Sequence, residues 1–559
     1  MASFLSTPRR LPGGTPAWAA FVFAVSLLNR LVFARVVGGY SLLGAAGLDS
    51  AYYHGLAAAW AQGTAHPGVF FMGPLYPAFL SLVYRVVGAA PGVAVALNVV
   101  VGCTTAVVVF LIGRRLFDRR TGLLAAALVN LYGYALFLEN HVLMAPLLAL
   151  LLALLVLVLL RAVGGGRAWL FAAAGLLAGL LAAGRGTYLL ALVLAVAVVL
   201  LRRPGARTRG GLARLALLAG GVLVAVLPVT IHNWRAGGGF VPLTTNGGIN
   251  YAIGNRDNAN GTFIQIEGVE FFQPGSPEDG GSVRRAGQLA GRDLTPAQAS
   301  RFWLRQGLDW NIANPGRTLA LWGRKLLLVV IDYEIPQIEN YAWARAASAG
   351  LKAWWVGFGL LAALGVGGML SAWRTVPASR PAALAVAAVV ASLLPFFITA
   401  RYRVPVAPLL AVFAAHFVFR LADLVRDRGA PRRLAPVAAT VVLLAVAYLY
   451  VPAAVEAGAD RLGDYTAGVV AIRENRLADA VRAFEASVRK HPDHVPSHAN
   501  LGTLYAQLGE YERGRREFET VLALEPDNRR ILAGYLTCLE QLGLADEARA
   551  VREKLGAPR

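Results

Sequence analysis

The chain has 559 residues, of which 57% are hydrophobic and 15% are charged, and its mean hydropathy is +0.55. A soluble globular protein of this length is more polar, so the composition excludes that class and predicts a membrane protein. The formal charge of +21 would suggest a nucleic-acid partner, but the basic residues fall in short loops between apolar stretches, so we expect none. The two cysteines, Cys103 and Cys538, belong to no CxxC or Cys/His cluster, which predicts neither disulfides nor a thiolate metal site.

Apolar segments that approach the roughly 20 residues needed to cross a bilayer recur as far as residue 455. The predicted fold is therefore all-α, a polytopic transmembrane helical bundle of about eleven spans in a domain over 1–455. The first span lacks a small-residue cleavage site and is predicted to be a retained anchor. The spans are predicted near 16–36, 93–113, 121–137, 142–160, 168–184, 187–201, 215–231, 353–372, 382–399, 404–419 and 434–452.

Arginine is unevenly shared between alternate loops. The loops of one side carry runs of two to five arginines, whereas the short loops of the other side carry only Arg85, Arg185, Arg401 and Arg403. Positive loops stay in the cytoplasm, so the N-terminus is predicted to be cytoplasmic and the segments 37–92 and 232–352 external.

The same asymmetry decides how the segment Leu319–Val330 is interpreted. It is short and contains Arg324 and Lys325. Counting it as a span would put the basic run at 420–433 outside, so we predict a helix at the external surface or a re-entrant helix.

One acidic residue, Asp49, follows the first span in LDSAYYHGLAAAWAQGTAHPGVFFMGPLYPAFL at 48–80. This stretch resembles the first external loop of the GT-C membrane glycosyltransferases. Within that superfamily it is most similar to family 39, the protein mannosyltransferases and the aminoarabinose transferases of lipid A. The segments PVTIHNWRAGGGFVPLTTNGGINYAIGN and IDYEIPQIENY are similar to the same group, so the resemblance covers roughly 15–420. A loop with a merely solvated Asp49 is the alternative.

The resemblance implies catalysis by Asp49 as the base that takes a proton from the acceptor hydroxyl, with inversion at the sugar. Many relatives have a second acid after the first, where this chain has Ser50, and an acid before Pro146, where it has Ala145. These departures put a metal site in doubt, so the metal is unknown and a divalent cation stays open. Glu139 is the other catalytic candidate, or it caps the following span.

Arginine suits a phosphate because its planar fork makes paired, charge-assisted hydrogen bonds. The run ARYRVP resembles the R-Y-R-x-P of the relatives, which predicts phosphate binding by Arg401 or Arg403; snorkelling to the interface is the alternative. The further candidates for the donor phosphate are Arg185, Arg324 and Lys325. A sugar or acceptor pocket is predicted from Tyr53, His54, Tyr76, Asn246 and Tyr251.

After about Gly463 the composition becomes charged, and a 34-residue spacing separates Pro492 from Pro526 and Phe484 from Phe518. This is the tetratricopeptide period, in which each unit is a helix pair. The domain 456–559 is therefore predicted to be an α-solenoid with units at about 461–494, 495–528 and 529–559, and a protein partner or acceptor is expected there.

The function predicted is transfer of a sugar from a polyprenyl-phosphate donor to an extracytoplasmic acceptor, in the inner membrane of a bacterium, with the repeats outside the cytoplasm. The first alternative is an inactive membrane-anchored scaffold, which Ala145 favours. The second is a lipid-linked glycan ligase or flippase. A transporter should have internal repeats or charged residues inside spans, and the sequence indicates neither.

Overall fold

The structure is a computed structural model. It describes residues 14–37, 48–66, 68–165, 167–189, 192–193, 196, 208–269, 281–337, 340–426, 435–451, 463–472, 475–525 and 528–556. The chain divides into two compact units, Met1–Val451 and Pro452–Arg559. Over the described residues the structure is helical and contains no β-strand, which confirms the all-α fold class.

The described part of the membrane unit consists of helices, with one long connection after residue 238. The helices are α1 (Thr15–Val37), α2 (Leu48–Ala61), α3 (Leu75–Val87), α4 (Pro91–Leu116), α5 (Arg119–Leu131), α6 (Gly133–Glu139), α7 (Ala145–Val163), α8 (Trp169–Gly184), α9 (Arg209–Asn233), α10 (Asn246–Gly254), α11 (Ser282–Ala290), α12 (Pro296–Ala313), α13 (Pro315–Val330), α14 (Tyr341–Ala347), α15 (Phe358–Thr375), α16 (Arg380–Leu393), α17 (Ala400–Arg403), α18 (Ala407–Arg426) and α19 (Ala435–Leu449).

Among the residues that the structure describes, five helical segments are long and apolar enough to cross a membrane: Thr15–Val37, Pro91–Leu116, Ala145–Val163, Arg209–Gly237 and Ala400–Leu421. Four shorter helices are also apolar. A multi-pass membrane protein is therefore supported, while the predicted count of eleven is not established. The predicted span at 187–201 lies mostly outside the described residues.

Two predicted spans are interrupted. The segment predicted at 121–137 breaks at Tyr132, whose backbone is extended and pairs with Val356 in an isolated bridge. The segment predicted at 382–399 ends as a helix at Leu393, two residues before Pro395. Irregular backbone at membrane depth is tolerated where protein or a cavity surrounds it, and both breaks adjoin the candidate site described below.

The long connection folds into four helices, α10 to α13. Thr295 and Gln298 form a capping box at the start of α12, and Pro296 occupies the first helical position. This arrangement satisfies the exposed amide groups of the first turn. A second proline, Pro315, begins α13 in the same way directly after the end of α12.

The C-terminal unit contains three helix pairs: 463–472 (α20) with Leu477–Lys490 (α21), Val495–Gln507 (α22) with Tyr511–Leu524 (α23), and Arg529–Gln541 (α24) with Ala545–Gly556 (α25). Glycine lets the pairs pack closely, since a Cβ at Gly502 would lie 2.8 Å from the ring of Phe518. The same relation holds between Gly468 and Phe484. These paired helices are the predicted tetratricopeptide repeats.

Candidate active site

The candidate site is built around an ion pair between Asp49 and Arg401. Asp49 lies in the first turn of α2, and an Nη of Arg401 in α17 donates to its carboxylate. The two side chains are only 9% and 15% exposed. The Nε of Arg401 also donates to the Oε1 of Gln337 at 3.2 Å. The one acid of the stretch at 48–80 thus pairs with one of the few arginines that were predicted to face outward.

A second arginine, Arg185, also lies at the ring of Tyr402. Its guanidinium carbon is 3.5 Å from the centre of the Tyr402 ring, and that of Arg401 is 5.4 Å from the same ring. Within the described part of the chain, no carboxylate or other acceptor pairs with Arg185. The hydroxyls of Thr187 and Tyr188 nearby are buried without a partner. The two guanidinium groups at the Tyr402 ring form a positively charged site suited to an anion.

Close backbone packing fixes the position of Arg185. Helix α8 ends at Gly184, and a Cβ on Gly73 would lie 2.2 Å from the carbonyl oxygen of Gly184. Only glycine allows that approach. The GPLYP run, which begins at Gly73, is therefore packed directly on the turn that presents Arg185.

Of the predicted pocket residues, Tyr53 lies at the ion pair. It is buried, and burial raises the pKa of its hydroxyl, with the charge of Asp49 acting in the same direction. Tyr76 packs behind it, with ring centres 5.4 Å apart, and donates to Asn98 at 3.1 Å. His54 instead contacts the hydroxyl of Tyr84 at 2.9 Å.

Arg403 is engaged differently from Arg401, although the two are two residues apart. Its guanidinium is fully buried and donates to the carbonyls of Leu328, Ile331 and Tyr333, and to Glu334 at 2.9 Å. It thereby fixes the end of α13 and the IDYEIPQ segment. The phosphate role predicted for Arg403 stays a prediction, but both of its Nη atoms already donate to protein acceptors, and only its Nε is buried without one among the described residues.

Glu139 is also in a buried ion pair, with Arg30 of α1. The Nε and one Nη of Arg30 donate to the two carboxylate oxygens at 2.6 and 2.8 Å. The other Nη donates to Asn130 at 2.7 Å. Arg30 lies inside the first span, which corrects our expectation that the spans hold no charged residue. The pair lines a small cavity with Tyr132 and Pro408.

The remaining predicted site residues lie in the long connection after residue 238. Lys325 is buried and donates to the carbonyl of Gly254 at 2.8 Å, and burial lowers its pKa to about 7. Tyr251 accepts a hydrogen bond from Asn311 at 2.7 Å. Asn246 accepts one from Thr244 at 2.9 Å, and Arg324 is exposed at the surface of α13.

Among the described residues, no group of three His, Cys, Asp or Glu side chains is arranged to hold a metal ion. The three buried carboxylates near the site, Asp49, Glu139 and Glu334, are each paired with a separate arginine. A shared carboxylate site for a divalent cation is therefore not assembled by these side chains, and the mechanism below uses none.

Sequence reasoning missed several residues of this site. Gln337 accepts a hydrogen bond from Arg401, and Glu334 accepts one from Arg403. Both lie in the segment IDYEIPQIENY, for which the sequence indicated only a family resemblance. Asn98 is fully buried in α4 and joins Tyr76 to the carbonyl of His141. A polar residue inside an apolar span is the signal that could have identified Asn98.

Two parts of the chain match known protein families. Residues 65–232 match the family described as dolichyl-phosphate-mannose-protein mannosyltransferase, and residues 465–513 and 499–555 match the tetratricopeptide repeat. Both parts of the resemblance stated from the sequence are thereby confirmed. None of the curated proteins matches the chain.

Three solved structures illustrate the similarity. The oligosaccharyltransferase of Archaeoglobus fulgidus in its apo form has 16% identity and a TM-score of 0.39, over 77% of this chain and 54% of that one. The archaeal enzyme AglB, from the same organism, with an inhibitory peptide and a dolichol-phosphate, has 16% identity and a TM-score of 0.36, over 78% and 56%. ArnT of Cupriavidus metallidurans, bound to undecaprenyl phosphate, has 17% identity and a TM-score of 0.34, over 74% and 81%. The chain thus spans about half the length of the archaeal structures.

Proposed function

Because its membrane unit carries a segment of the dolichyl-phosphate-mannose-protein mannosyltransferase family, we propose that this protein is an integral-membrane glycosyltransferase. It transfers a sugar from a polyprenyl-phosphate donor to an acceptor outside the cytoplasm. The observation that carries the proposal is the ion pair of Asp49 with Arg401, beside an Arg185 that stacks on Tyr402 and has no acceptor among the described residues. This site offers one carboxylate to a hydroxyl and two guanidinium groups to a phosphate.

The reaction is a displacement at the anomeric carbon of the sugar. The acceptor oxygen forms a bond to that carbon while the bond from the carbon to the donor phosphate oxygen breaks. The electron pair leaves with the polyprenyl phosphate, and the acceptor proton passes to Asp49. One carboxylate suffices for this inverting step, and a positioned base typically contributes about 10² to 10⁴ in rate.

Arg401 serves two partners in this proposal. In the ligand-free protein its Nη is paired with Asp49, which prevents a buried arginine from standing unpaired. A donor phosphate placed between Arg401 and Arg185 competes for that guanidinium and releases one oxygen of Asp49. Binding of the donor would thus prepare the base for the acceptor.

Arg185 is the second phosphate ligand in this proposal. Stacking on Tyr402 holds the plane of its guanidinium, so the donors at its edge stay available. The buried hydroxyls of Thr187 and Tyr188 can donate to the same phosphate. Arg403, whose two Nη atoms donate to carbonyls and Glu334, holds the wall of the site instead.

The proposal is tested by incubating the purified protein, in detergent or vesicles, with a panel of polyprenyl-phosphate sugars and following release of the lipid phosphate. We expect release with at least one donor once an acceptor is supplied, and loss of release in Asp49→Asn. Donors that bind with no turnover in any acceptor mixture would favour the scaffold alternative. ATP-independent movement of the lipid across vesicles without loss of the sugar would favour the flippase.

A further inference from the structure

Helix α13 has an apolar face that no described residue covers. Leu319, Trp322 and Leu326 are 71%, 38% and 50% exposed, and their spacing of three and four residues puts them on one side of the helix. Leu321, Lys325 and Leu328 are buried on the opposite side against the protein. A helix that is apolar on its outer face needs a partner other than water.

The C-terminal end of α13 lies at the ends of two predicted spans. The amide of Asp332, directly after the helix, donates to the carbonyl of Ala447 near the end of α19 at 3.0 Å. Its Oδ1 accepts from the amide of Gly359 at the start of α15 at 2.9 Å. In the predicted topology both positions are external, so this end of α13 lies at the outer boundary of the bilayer.

The middle of α13 lies at the same boundary. Lys325 contacts Gly254 through its amine, and Leu328 packs on Gly261. The carbonyl of Gly261 accepts from the amide of Ile398 at 2.8 Å, two residues before the apolar segment that begins at Ala400. Two points of the helix thus adjoin the outer ends of spans, so α13 runs along the boundary instead of rising away from it.

The arginines of α13 are on a different side of the helix from its exposed apolar residues. At 3.6 residues per turn, Arg324 lies about 140° round the axis from Leu319, on the polar half of the exposed surface. Arg317 is on that half too and pairs with Asp257 at 2.9 Å. A helix with tryptophan and leucine on one side and arginine on the other has the character of an interfacial helix.

We propose that α13 lies in the outer leaflet of the bilayer, with Leu319, Trp322 and Leu326 among the acyl chains and Arg324 at the phosphate groups of the lipid. The occupant of this face is phospholipid, because the face is continuous with the ends of the spans beside it. The proposal does not depend on the transfer reaction. It places a lipid contact on the helix that leads directly into Glu334 and Gln337, which hold Arg403 and Arg401.

Spin labels on α13 test the proposal in full-length protein that carries Cys103→Ala and Cys538→Ala. Single cysteines are placed by Leu319→Cys and Leu326→Cys, with Ala320→Cys as the matched exposed control on the same helix. The protein is reconstituted in vesicles of phosphatidylethanolamine and phosphatidylglycerol. Collision rates with molecular oxygen, which concentrates in lipid, and with a water-soluble nickel chelate are measured for each label.

We expect the ratio of oxygen to nickel collisions at 319 and 326 to exceed that at 320 several-fold. Equal ratios at the three positions would show that the face is in water and overturn the proposal. Low collision rates with both reagents, together with spin–spin broadening, would overturn it in favour of a second copy of the chain. Retained monodispersity of each variant on size exclusion shows that a changed ratio does not reflect unfolding.

Discussion

Asp49 is the residue on which the proposed chemistry depends. We predict that Asp49→Asn lowers turnover by about 10² or more, because asparagine keeps the size and polarity of the side chain but cannot accept a proton. Donor binding should persist, since Arg401 and Arg185 remain. The measurement is sugar transfer at saturating donor, with binding of the polyprenyl phosphate followed separately. Turnover of the variant at the wild-type rate would remove Asp49 from the role of base.

The two guanidinium groups at Tyr402 should act on donor affinity. We predict that Arg185→Ala and Arg401→Ala each raise the donor KM about 10- to 100-fold, because a hydrogen bond to a charged group contributes about 1.5–3 kcal/mol. Arg401→Lys should restore part of the loss, since lysine keeps the charge but not the fork. The measurement is turnover as a function of donor concentration.

Two other arginines serve as controls for that series. Arg85→Ala should change the KM little, because Arg85 is exposed at the surface of α3. Arg403→Ala should reduce folded protein, since it leaves Glu334 buried without its cation, a change that costs about 3–5 kcal/mol in typical cases. A uniform effect of all four alanine variants on KM would place the phosphate elsewhere.

Gly102 in helix α4 packs directly against the ion pair of Arg30 and Glu139. A Cβ on Gly102 would lie 2.2 Å from the Oε1 of Glu139 and 2.6 Å from the Nε of Arg30. We predict that Gly102→Ala destabilises the protein by about 1–3 kcal/mol, as overpacking of a core does. The measurement is thermal unfolding in detergent. Gly92→Ala on the same helix is the matched control, because nothing lies within 4 Å of its Cβ position, and equal effects would contradict the prediction.

The repeats contain a histidine whose two nitrogens both face acceptors. The Nδ1 of His498 is 2.6 Å from the carboxylate of Glu517, and the Nε2 is 2.9 Å from the carbonyl of Pro492. Burial lowers the pKa of His498, but these two partners outweigh burial, and the net pKa is raised. A folded-state pKa above the unfolded value means that the stabilisation is complete below the unfolded pKa and is lost as the pH rises through the folded one.

We therefore predict that helices α22 and α23 lose stability between mildly acidic and alkaline pH. The measurement is hydrogen exchange of 495–524 in the full chain across a urea series at several pH values. In His498→Gln, which can donate to Glu517 but does not titrate, this pH dependence should be smaller. An unchanged slope in the variant would assign the dependence to another group.

At the scale of the whole molecule, we predict that the repeats lie outside the cytoplasm, on the side of Asp49. The basis is the uneven distribution of arginine among the loops. A cysteine placed at exposed Gln507 should react with a membrane-impermeant thiol reagent in intact cells. The native cysteines are buried and provide a low background. Labelling that requires permeabilised cells would reverse the topology of this unit.

Hydropathy, arginine asymmetry and the 34-residue period predicted the class of the fold and the repeats, because these patterns can be read directly along the sequence. The sequence also identified Asp49, Arg185 and Arg401 as site candidates, because the loops predicted to be external contain few charged residues. Their arrangement could not be predicted, because Arg401 and Asp49 are 352 positions apart in the sequence. The backbone geometry of α17 decides that Arg401 pairs with Asp49 and Arg403 pairs with Glu334. The Arg30–Glu139 pair was missed because hydropathy averages a single arginine away inside an apolar span.

The separation of 352 positions between Asp49 and Arg401 also bears on how the protein is made. Bacterial and eukaryotic chains are synthesised at about 5–20 residues per second, so the segment that carries Asp49 emerges roughly 20 to 70 seconds before its arginine. In the predicted topology the helix that carries Asp49 is outside the cytoplasm during that interval, before Arg401 exists to pair with it. Completion of the site is therefore a late event of synthesis, because a chain that stops before α17 contains Asp49 and Arg185 but lacks the arginine that pairs with Asp49.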